Sequence, residues 1–370
     1  MMIYKALRAL HLNNLIYNAI LPFVKNSGKR NLEQKNAYNH LQKYSPDFQC
    51  SSICDNHIED IPQYDLQIIV PAYNVEKYIE ECMDSIVGQQ TSYSFYVTVI
   101  NDGSPDNTRE LLKKYESYAN IRIIDQANRG FSGAKNRGLS EINARYVMFV
   151  DSDDKLYKGA IEALMYTADK YNADIVEGGY QLFYNHVILK RGVRKNRHGT
   201  ALNMYGFGCG KVYRAQLFKN IQFPEKYWFE DTVVSFILLP LSKMRASVSN
   251  IVYCYRKNLK GISVSSKGNI KSLDSFYVTR RLLFDRQILG LPLGEEELEM
   301  VLRQIIVNYR RINTIKDKTI QELIFDANIE MLQTFFTPKI VMTYSGKHNH
   351  LLKAILQNNY RLYNLYCKLK

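Results

Sequence analysis

The stretch LQIIVPAYNVEKYIEECMDSIV, residues 66–87, opens with an apolar run from Leu66 to Val70, breaks at Pro71-Ala72-Tyr73-Asn74, and turns amphipathic from Val75 to Val87. A short apolar run closed by a proline reads as a buried strand, and the spacing that follows reads as a helix. The same strand-then-helix pattern repeats outward. Tyr96–Ile100 and Ile121–Ile124 are strand-like, Thr108–Tyr118 and Gly133–Ile142 helical, and Tyr146–Val150 is again an apolar run. Short apolar strands alternating with amphipathic helices predict a parallel sheet covered on both faces, a doubly wound α/β domain. Residues 1–63 are polar, basic and poorly periodic, ending in the linker-like Asp60-Ile61-Pro62-Gln63. Elements become less regular after Asp154, and from about residue 266 the pattern is mainly helical. The expected division is a basic extension and linker (1–63), an α/β domain (64–265) and a helical region (266–370).

With 370 residues, 46% hydrophobic and 23% charged, the chain has enough material for a substantial core. Its net charge of +13 gathers at the two ends. Lys5, Arg8, Lys25, Lys29 and Arg30 precede the first acid, Glu33, and Lys347, Lys353, Arg361, Lys368 and Lys370 close the chain with no acid among them. At the carboxyl end Leu352, Ile355, Leu362, Tyr366 and Leu369 form an apolar stripe beside Lys353, Arg361 and Lys368, the pattern of a basic amphipathic helix. Leu7, Leu10, Leu15, Ile16, Ile20 and Leu21 give a weaker version at the amino end. Neither segment reaches the roughly 18 uninterrupted apolar residues that a membrane span requires. The reading is a cytoplasmic chain lying peripherally on the inner, anionic face of the cell membrane. Solvated charges on a packed surface would give the same pattern. The six cysteines are scattered, as reduced thiols would be, and no second ligand pair follows Cys50, Cys54 and His57 to make a zinc site. The core carries no interleaving of basic and stacking residues of the kind nucleic acid demands.

In an open parallel sheet, ligands sit outside the carboxyl ends of the strands. Three polar clusters follow apolar runs there: Pro71-Ala72-Tyr73-Asn74, Asn101-Asp102-Gly103-Ser104, and Asp151-Ser152-Asp153-Asp154. Asp151 and Asp153, two apart in extended chain, project to one side, where a hard divalent cation would neutralise them and bridge to a diphosphate. An acidic turn capping a helix near Lys158 would look the same. Asp102 suits a base N–H, or an ordinary Asp-Gly turn. Asn128 to Asn136, with Arg129 and Lys135 among small residues before a helix, suits a phosphate or a ribose, or simply a helix start. Glu230 and Asp231 precede an apolar stretch, Thr232–Leu239, which reads as a helix they would cap. Trp228, the one tryptophan, would stack on a sugar or fill the core.

Taken together, IIVPAYNVEKYIEECMDSI, VTVINDGSPDNT, NRGFSGAKNRGL and YVMFVDSDD, in this order and spacing, resemble glycosyltransferase family 2 with its GT-A fold, a mixed Rossmann-like sheet, over residues 66 to about 265. The resemblance implies an inverting sugar transfer from a nucleotide diphosphate sugar, with UDP as the expected nucleotide, to a saccharide hydroxyl in bacterial surface-polysaccharide assembly. It implies that Pro71, Ala72, Tyr73 and Asn74 line the nucleotide pocket, that Asp102 meets a uracil-type base, and that Asp151 and Asp153 hold Mn²⁺ or Mg²⁺, with Ser152 between them. Lys135 stands where the family often has arginine. Cys209-Gly210-Lys211 and Trp228-Phe229-Glu230-Asp231 resemble the acceptor-side segments, with Asp231 as general base and Glu230 in support; Tyr253-Cys254-Tyr255-Arg256, with Ser263 and Ser265, resembles the closing loop, with Arg256 toward the diphosphate. Two rivals are a sugar-phosphate nucleotidyltransferase, which would follow its first strand with a glycine-rich loop rather than Pro71-Ala72-Tyr73-Asn74, and a binding module that keeps the fold without turnover. No membrane span or tryptophan motif of the processive synthases follows Asp231, so one sugar or a short run, on a lipid-linked acceptor, is expected.

Overall fold

The computed structural model describes residues 36–185, 187–259 and 261–370; the amino-terminal amphipathic stretch lies outside the described residues. The chain divides into two compact units, Cys50–Leu259 and a second that joins Met1–Gln49 to Lys260–Lys370. A short helix, α1 (Ala37–Leu41), belongs to the second.

In the first unit, after the short strand β1 (His57–Ile58), the chain forms β2 (Tyr64–Ala72), α2 (Ile79–Val87), β3 (Phe95–Asn101), α3 (Thr108–Leu112), β4 (Ile121–Asp125) and α4 (Gly130–Leu139). Then come β5 (Glu141–Ile142), β6 (Ala144–Phe149), β7 (Lys155–Leu156), α5 (Ala160–Tyr171), β8 (Ile175–Tyr184), β9 (Val187–Gly192), β10 (Arg197–Gly199), β11 (Lys211–Arg214), the short α6 (Leu239–Leu241) and β12 (Arg245–Arg256). The main sheet runs β10-β12-β8-β11-β6-β2-β3-β4. Its β6-β2-β3-β4 portion is parallel, while β11 lies antiparallel to both β6 and β8, so the sheet is mixed.

The central strand β2 is apolar on both faces because both are covered. Leu66, Ile68 and Val70 pack into a cluster with Met83, Ile86 and Leu164. On the other face Phe149 meets Phe223 at 5.1 Å and Phe218 at 5.7 Å between ring centroids. Helix α4 lies so close to β2 that a Cβ on Gly138 would fall 2.5 Å from Ile69 Cγ2. Gly138→Ala is expected to cost about 1–3 kcal/mol through forced displacement of the helix, measured by urea denaturation; an unchanged midpoint would mean the helix shifts freely.

Several elements differ from their sequence reading. Helix α4 stops at Leu139 rather than Ile142, because Glu141 and Ile142 pair with His57 and Ile58. The helix from Thr108 tightens into a 3₁₀ turn over Lys113–Tyr115. The stretch after Asp231 winds as a π-helix over Val234–Leu238 before α6. Residues 50–58 are tied to this unit rather than free as a linker: Cys54 N–H donates to Asn220 O and Asn56 N–H to Lys219 O.

The second unit is helical as expected: α7 (Ile262–Ser265), α8 (Asp274–Ile288), α9 (Glu295–Ile312), α10 (Lys318–Phe335), α11 (Pro338–Thr343), α12 (Asn349–Leu356) and α13 (Tyr360–Leu369). Glu330 on α10 accepts the N–H groups of Asn36, Ala37 and Tyr38 and so anchors α1. The single basic amphipathic helix read at the carboxyl end is instead the pair α12 and α13, broken where Asn358 takes a left-handed φ of 50°. Leu352, Ile355, Leu362, Tyr366 and Leu369 are all buried, so the stripe read beside Lys353, Arg361 and Lys368 is not exposed with them; Leu356 is the exposed large apolar residue among the described residues of these two helices. No helix among the described residues is long and apolar enough to cross a membrane.

Candidate functional site

Because β2 and β3 are parallel and in register, with Ala72 opposite Asn101, their trailing loops emerge side by side. Pro71 and Ala72 are buried in the strand, whereas Tyr73 is 49% exposed. Asn74 takes φ 54° and its N–H donates to Ser104 Oγ, joining the two loops. Asp102 is buried. Its N–H donates to Ala72 O, and its Oδ1 accepts from Gln126 Nε2 at 2.7 Å and from Arg129 N at 2.8 Å. The neighbouring Gly103 has φ 68°, and a side chain there would crowd Asn128 N at 3.1 Å. Asp102 thus fastens the second loop to the start of α4.

The acidic loop after β6 is held by the last strand. Tyr253 Oη accepts from Asp151 N–H at 3.1 Å and donates to Asp154 Oδ2 at 2.9 Å, while Asp154 Oδ1 accepts from Arg256 N–H at 2.6 Å. Ser152 is buried between them. Asp153 Oδ2 accepts from Asn258 Nδ2 at 2.9 Å. Arg256 does not project a free guanidinium toward the crevice: Nε donates to Asp153 O at 2.7 Å and Nη2 pairs with Glu81. Glu81, in the first turn of α2, carried no signal in the sequence, since an acid there reads as an ordinary solvated helix position. Tyr253 was visible only as part of a motif, without a role.

Lys135 is brought to Glu230 and Asp231 instead of standing alone beside a phosphate. Its ammonium lies 3.0 Å from Glu230 Oε1 and 3.1 Å from Asp231 Oδ1, and 4.1 Å from the centre of the Phe131 ring. Burial works against that charge, but Asp231, Glu230 and Asp151 outweigh it and hold the ammonium pKa above its usual range. Burial also pushes the Glu230 carboxyl up, with Lys135 opposing. Asp151 is pushed up to about 7, by burial first and then, against Lys135, by Asp231 and Asp153. Asp231 Oδ2 accepts from Gly208 N–H at 3.2 Å, and a Cβ on Gly208 would sit 3.0 Å from Asp231 Oδ1. The Glu230 side chain is 7% exposed and that of Asp231 35%, so of the two only Asp231 is open to a ligand hydroxyl.

One expected site residue, Lys211, lies elsewhere. Lys211 is fully buried, 3.0 Å from Glu177 Oε2 and donating to Phe207 O at 2.7 Å, so it braces the Tyr205–Gly208 loop rather than meeting a nucleotide. Trp228 is half-buried with its ring edge-on to Phe229, 6.4 Å between centroids. The Ser265 hydroxyl donates within its own short helix to Gly261 O, and the Ser263 side chain lies outside what is described.

The donor chemistry fits a hard divalent cation. Asp151, Asp154 and Cys209 each bring a ligand atom within 4.8 Å of the others. Both Asp154 oxygens already accept hydrogen bonds, and burial keeps the Cys209 thiol protonated. The Asp151 carboxylate accepts no hydrogen bond among the described residues, and Asp153 commits one oxygen to Asn258. Asp151 and Asp153 are therefore the pair with oxygens to spare.

Residues 67–222 match the family described as glycosyl transferase family 2. The chain is 33% identical over 211 residues to "Glycosyltransferase GlyA" of Streptococcus pneumoniae serotype 4, covering 52% of this chain and 30% of that protein. It is 32% identical over 211 residues to "Uncharacterized glycosyltransferase EpsJ" of Bacillus subtilis, covering 52% and 61%. The chain thus spans between about a third and three fifths of the length of these curated relatives. Among solved structures, that of Staphylococcus aureus TarS 1-349 in complex with UDP-GlcNAc superposes with a TM-score of 0.64 at 22% identity, covering 81% of this chain and 89% of that one. The likeness is one of fold, and the GT-A architecture is the fold of this chain.

Proposed function

We propose that this glycosyl transferase family 2 chain moves a sugar from a UDP-linked donor to a saccharide hydroxyl with inversion at the anomeric carbon, during assembly of a surface polysaccharide. The observation that carries the reading is the Asp231 carboxylate, half-open, oriented by Lys135 and Gly208 N–H. Its support from relatives is that TarS of S. aureus, 29% identical over 254 residues, is named a poly(ribitol-phosphate) beta-N-acetylglucosaminyltransferase. The catalytic domain is assigned to residues 64–265.

In this reading Pro71, Ala72, Tyr73 and Asn74 form the wall against the nucleoside, and Asp102 takes the base N–H on its remaining oxygen. Asp151 and Asp153 would hold Mn²⁺ or Mg²⁺, which when bound offsets charge developing on the departing diphosphate. Asp231 accepts the proton of the attacking hydroxyl, and one displacement from the face opposite the diphosphate inverts the centre. Glu230, sealed behind Lys135, keeps that lysine in place. Arg256 serves the diphosphate indirectly, by fixing the backbone of Asp153 and Asp154. Trp228 faces the acceptor, which is a saccharide or a lipid-linked saccharide.

A panel of nucleotide sugars, assayed for slow metal-dependent hydrolysis, tests the reading. One UDP-sugar is expected to release UDP with Mn²⁺ or Mg²⁺. Asp153→Ala should lose metal-dependent UDP binding by calorimetry while retaining the wild-type circular dichroism spectrum. Absence of any metal-dependent UDP binding by the wild type would overturn the proposal. UDP binding without turnover on any donor or acceptor would favour the non-catalytic module.

A further inference from the structure

Between Glu177 and Glu225 the sequence carries eight lysines and arginines and no acid. Part of this run is the hairpin of β8 and β9, where among the described residues β9 pairs with β8 alone and so presents an outer edge. Leu182 pairs with Lys190 and Phe183 with Ile188, so Leu189 is an extra, bulged residue. Every residue from Val187 to Arg191 is exposed, and Val187, Ile188, Leu189 and Val193 are 44–65% exposed. Lys190, Arg191, Lys195 and Arg197 are exposed too and form no ion pair among the described residues. Charges and a bulge blunt an edge strand against unwanted pairing. They do not account for four exposed aliphatic side chains, whose exposure costs free energy unless something covers them.

We propose that the β8–β9 hairpin is a membrane-docking element, with Val187, Ile188, Leu189 and Val193 entering the headgroup region and Lys190 and Arg191 engaging anionic lipid phosphates. The charge is complementary to such a surface, and the aliphatic residues favour lipid over a soluble polyanion, which would have no use for them. The hairpin is rooted at the acidic loop. Phe183 is opposite Arg256 in the sheet, its ring lies 4.6 Å from the Arg256 guanidinium, and Arg256 Nε donates to Asp153 O. Docking through this hairpin brings the Asp153 side of the site to the bilayer, where a lipid-linked acceptor is presented. Docking itself is independent of the sugar transfer, whereas presentation of a lipid-linked acceptor rests on that reading; among the described residues the hairpin reaches those assigned to chemistry through Phe183.

The test is co-sedimentation of the full chain with vesicles of phosphatidylcholine alone or mixed with phosphatidylglycerol. Wild type is expected on the anionic vesicles only, with binding that falls as salt rises. Lys190→Gln with Arg191→Gln should weaken the partition roughly thirtyfold, and Ile188→Ser with Leu189→Ser roughly tenfold. Lys353→Gln with Lys368→Gln should change little. Ile188→Trp should show blue-shifted emission on anionic vesicles, a gain of signal that a misfolded chain would not give. Donor hydrolysis by the hairpin variants in the absence of lipid should equal wild type, so loss of vesicle binding cannot be confused with failure of the transferase reading. Unbound wild type, hairpin variants that sediment like wild type, or equally tight binding to soluble polyphosphate that survives the two serines would each overturn the proposal.

Discussion

Replacing Asp231 by asparagine is expected to lower the sugar-transfer rate about 10²–10⁴-fold, the usual contribution of a positioned general base. The amide keeps the shape of the side chain and can still accept from Gly208 N–H, so the donor-binding affinity should change by no more than a few-fold. Glu230→Gln should cost less in rate, because Glu230 is sealed from the crevice and reaches the acceptor only through Lys135. Single-turnover kinetics with saturating donor, set beside calorimetric UDP binding, separates the two effects. Full-rate transfer by Asp231→Asn would place the base elsewhere; a parallel loss of UDP binding would make Asp231 a donor ligand instead.

Lys135→Met is expected to destabilise the protein by about 3–5 kcal/mol, since removing one partner of a buried pair leaves the other charge uncompensated. Lys135 is 2% exposed and is the cation within ion-pair distance of both Glu230 and Asp231. The loss should depend on pH. Without the lysine, the Glu230 pKa, already raised by burial, rises further. An acid with a raised folded pKa contributes stability below its unfolded pKa and loses it as pH rises through the folded value. The gap between variant and wild type should therefore be small near pH 4, the unfolded carboxylate range, and widest at alkaline pH. Lys135→Arg keeps the charge and should recover most of the stability, less the cost of fitting a guanidinium between the rings of Phe131 and Phe223. Urea denaturation across pH measures both. A pH-independent loss would mean that Lys135 acts through packing of its aliphatic stem and not through its charge.

The placement of the candidate donor residues was legible because it is local. Pro71 to Asn74, Asp102 and the Asp151–Asp153 pair each follow an apolar run, and a residue that follows a strand in a parallel sheet has few places to go. The acceptor half was legible only as resemblance, and there the tertiary structure moved side chains. Lys135 and Asp231 are 96 positions apart, and no periodicity connects them. Lys211, a cation in a promising motif, is absorbed by Glu177, which pairs with it across the β8–β11 register.

The same distinction separates two apolar patterns that look alike in sequence. Alternation of apolar runs and amphipathic helices from Leu66 to Val150 determined, by itself, a layered α/β domain with loops gathered at one edge, because backbone hydrogen bonding and burial of an apolar face act over a few residues at a time. Which apolar residues remained at the surface was decided only by tertiary structure. The carboxyl stripe, legible as one basic amphipathic helix on a membrane surface or as a packed face with solvated charges, is broken at Asn358 and buried by its own helical neighbours. The strand from Val187 to Gly192, unremarked in the sequence, keeps its aliphatic side chains exposed because β9 is an edge that pairs, among the described residues, with β8 alone. A stripe shows that a residue will be covered; what covers it depends on the elements the rest of the chain brings alongside.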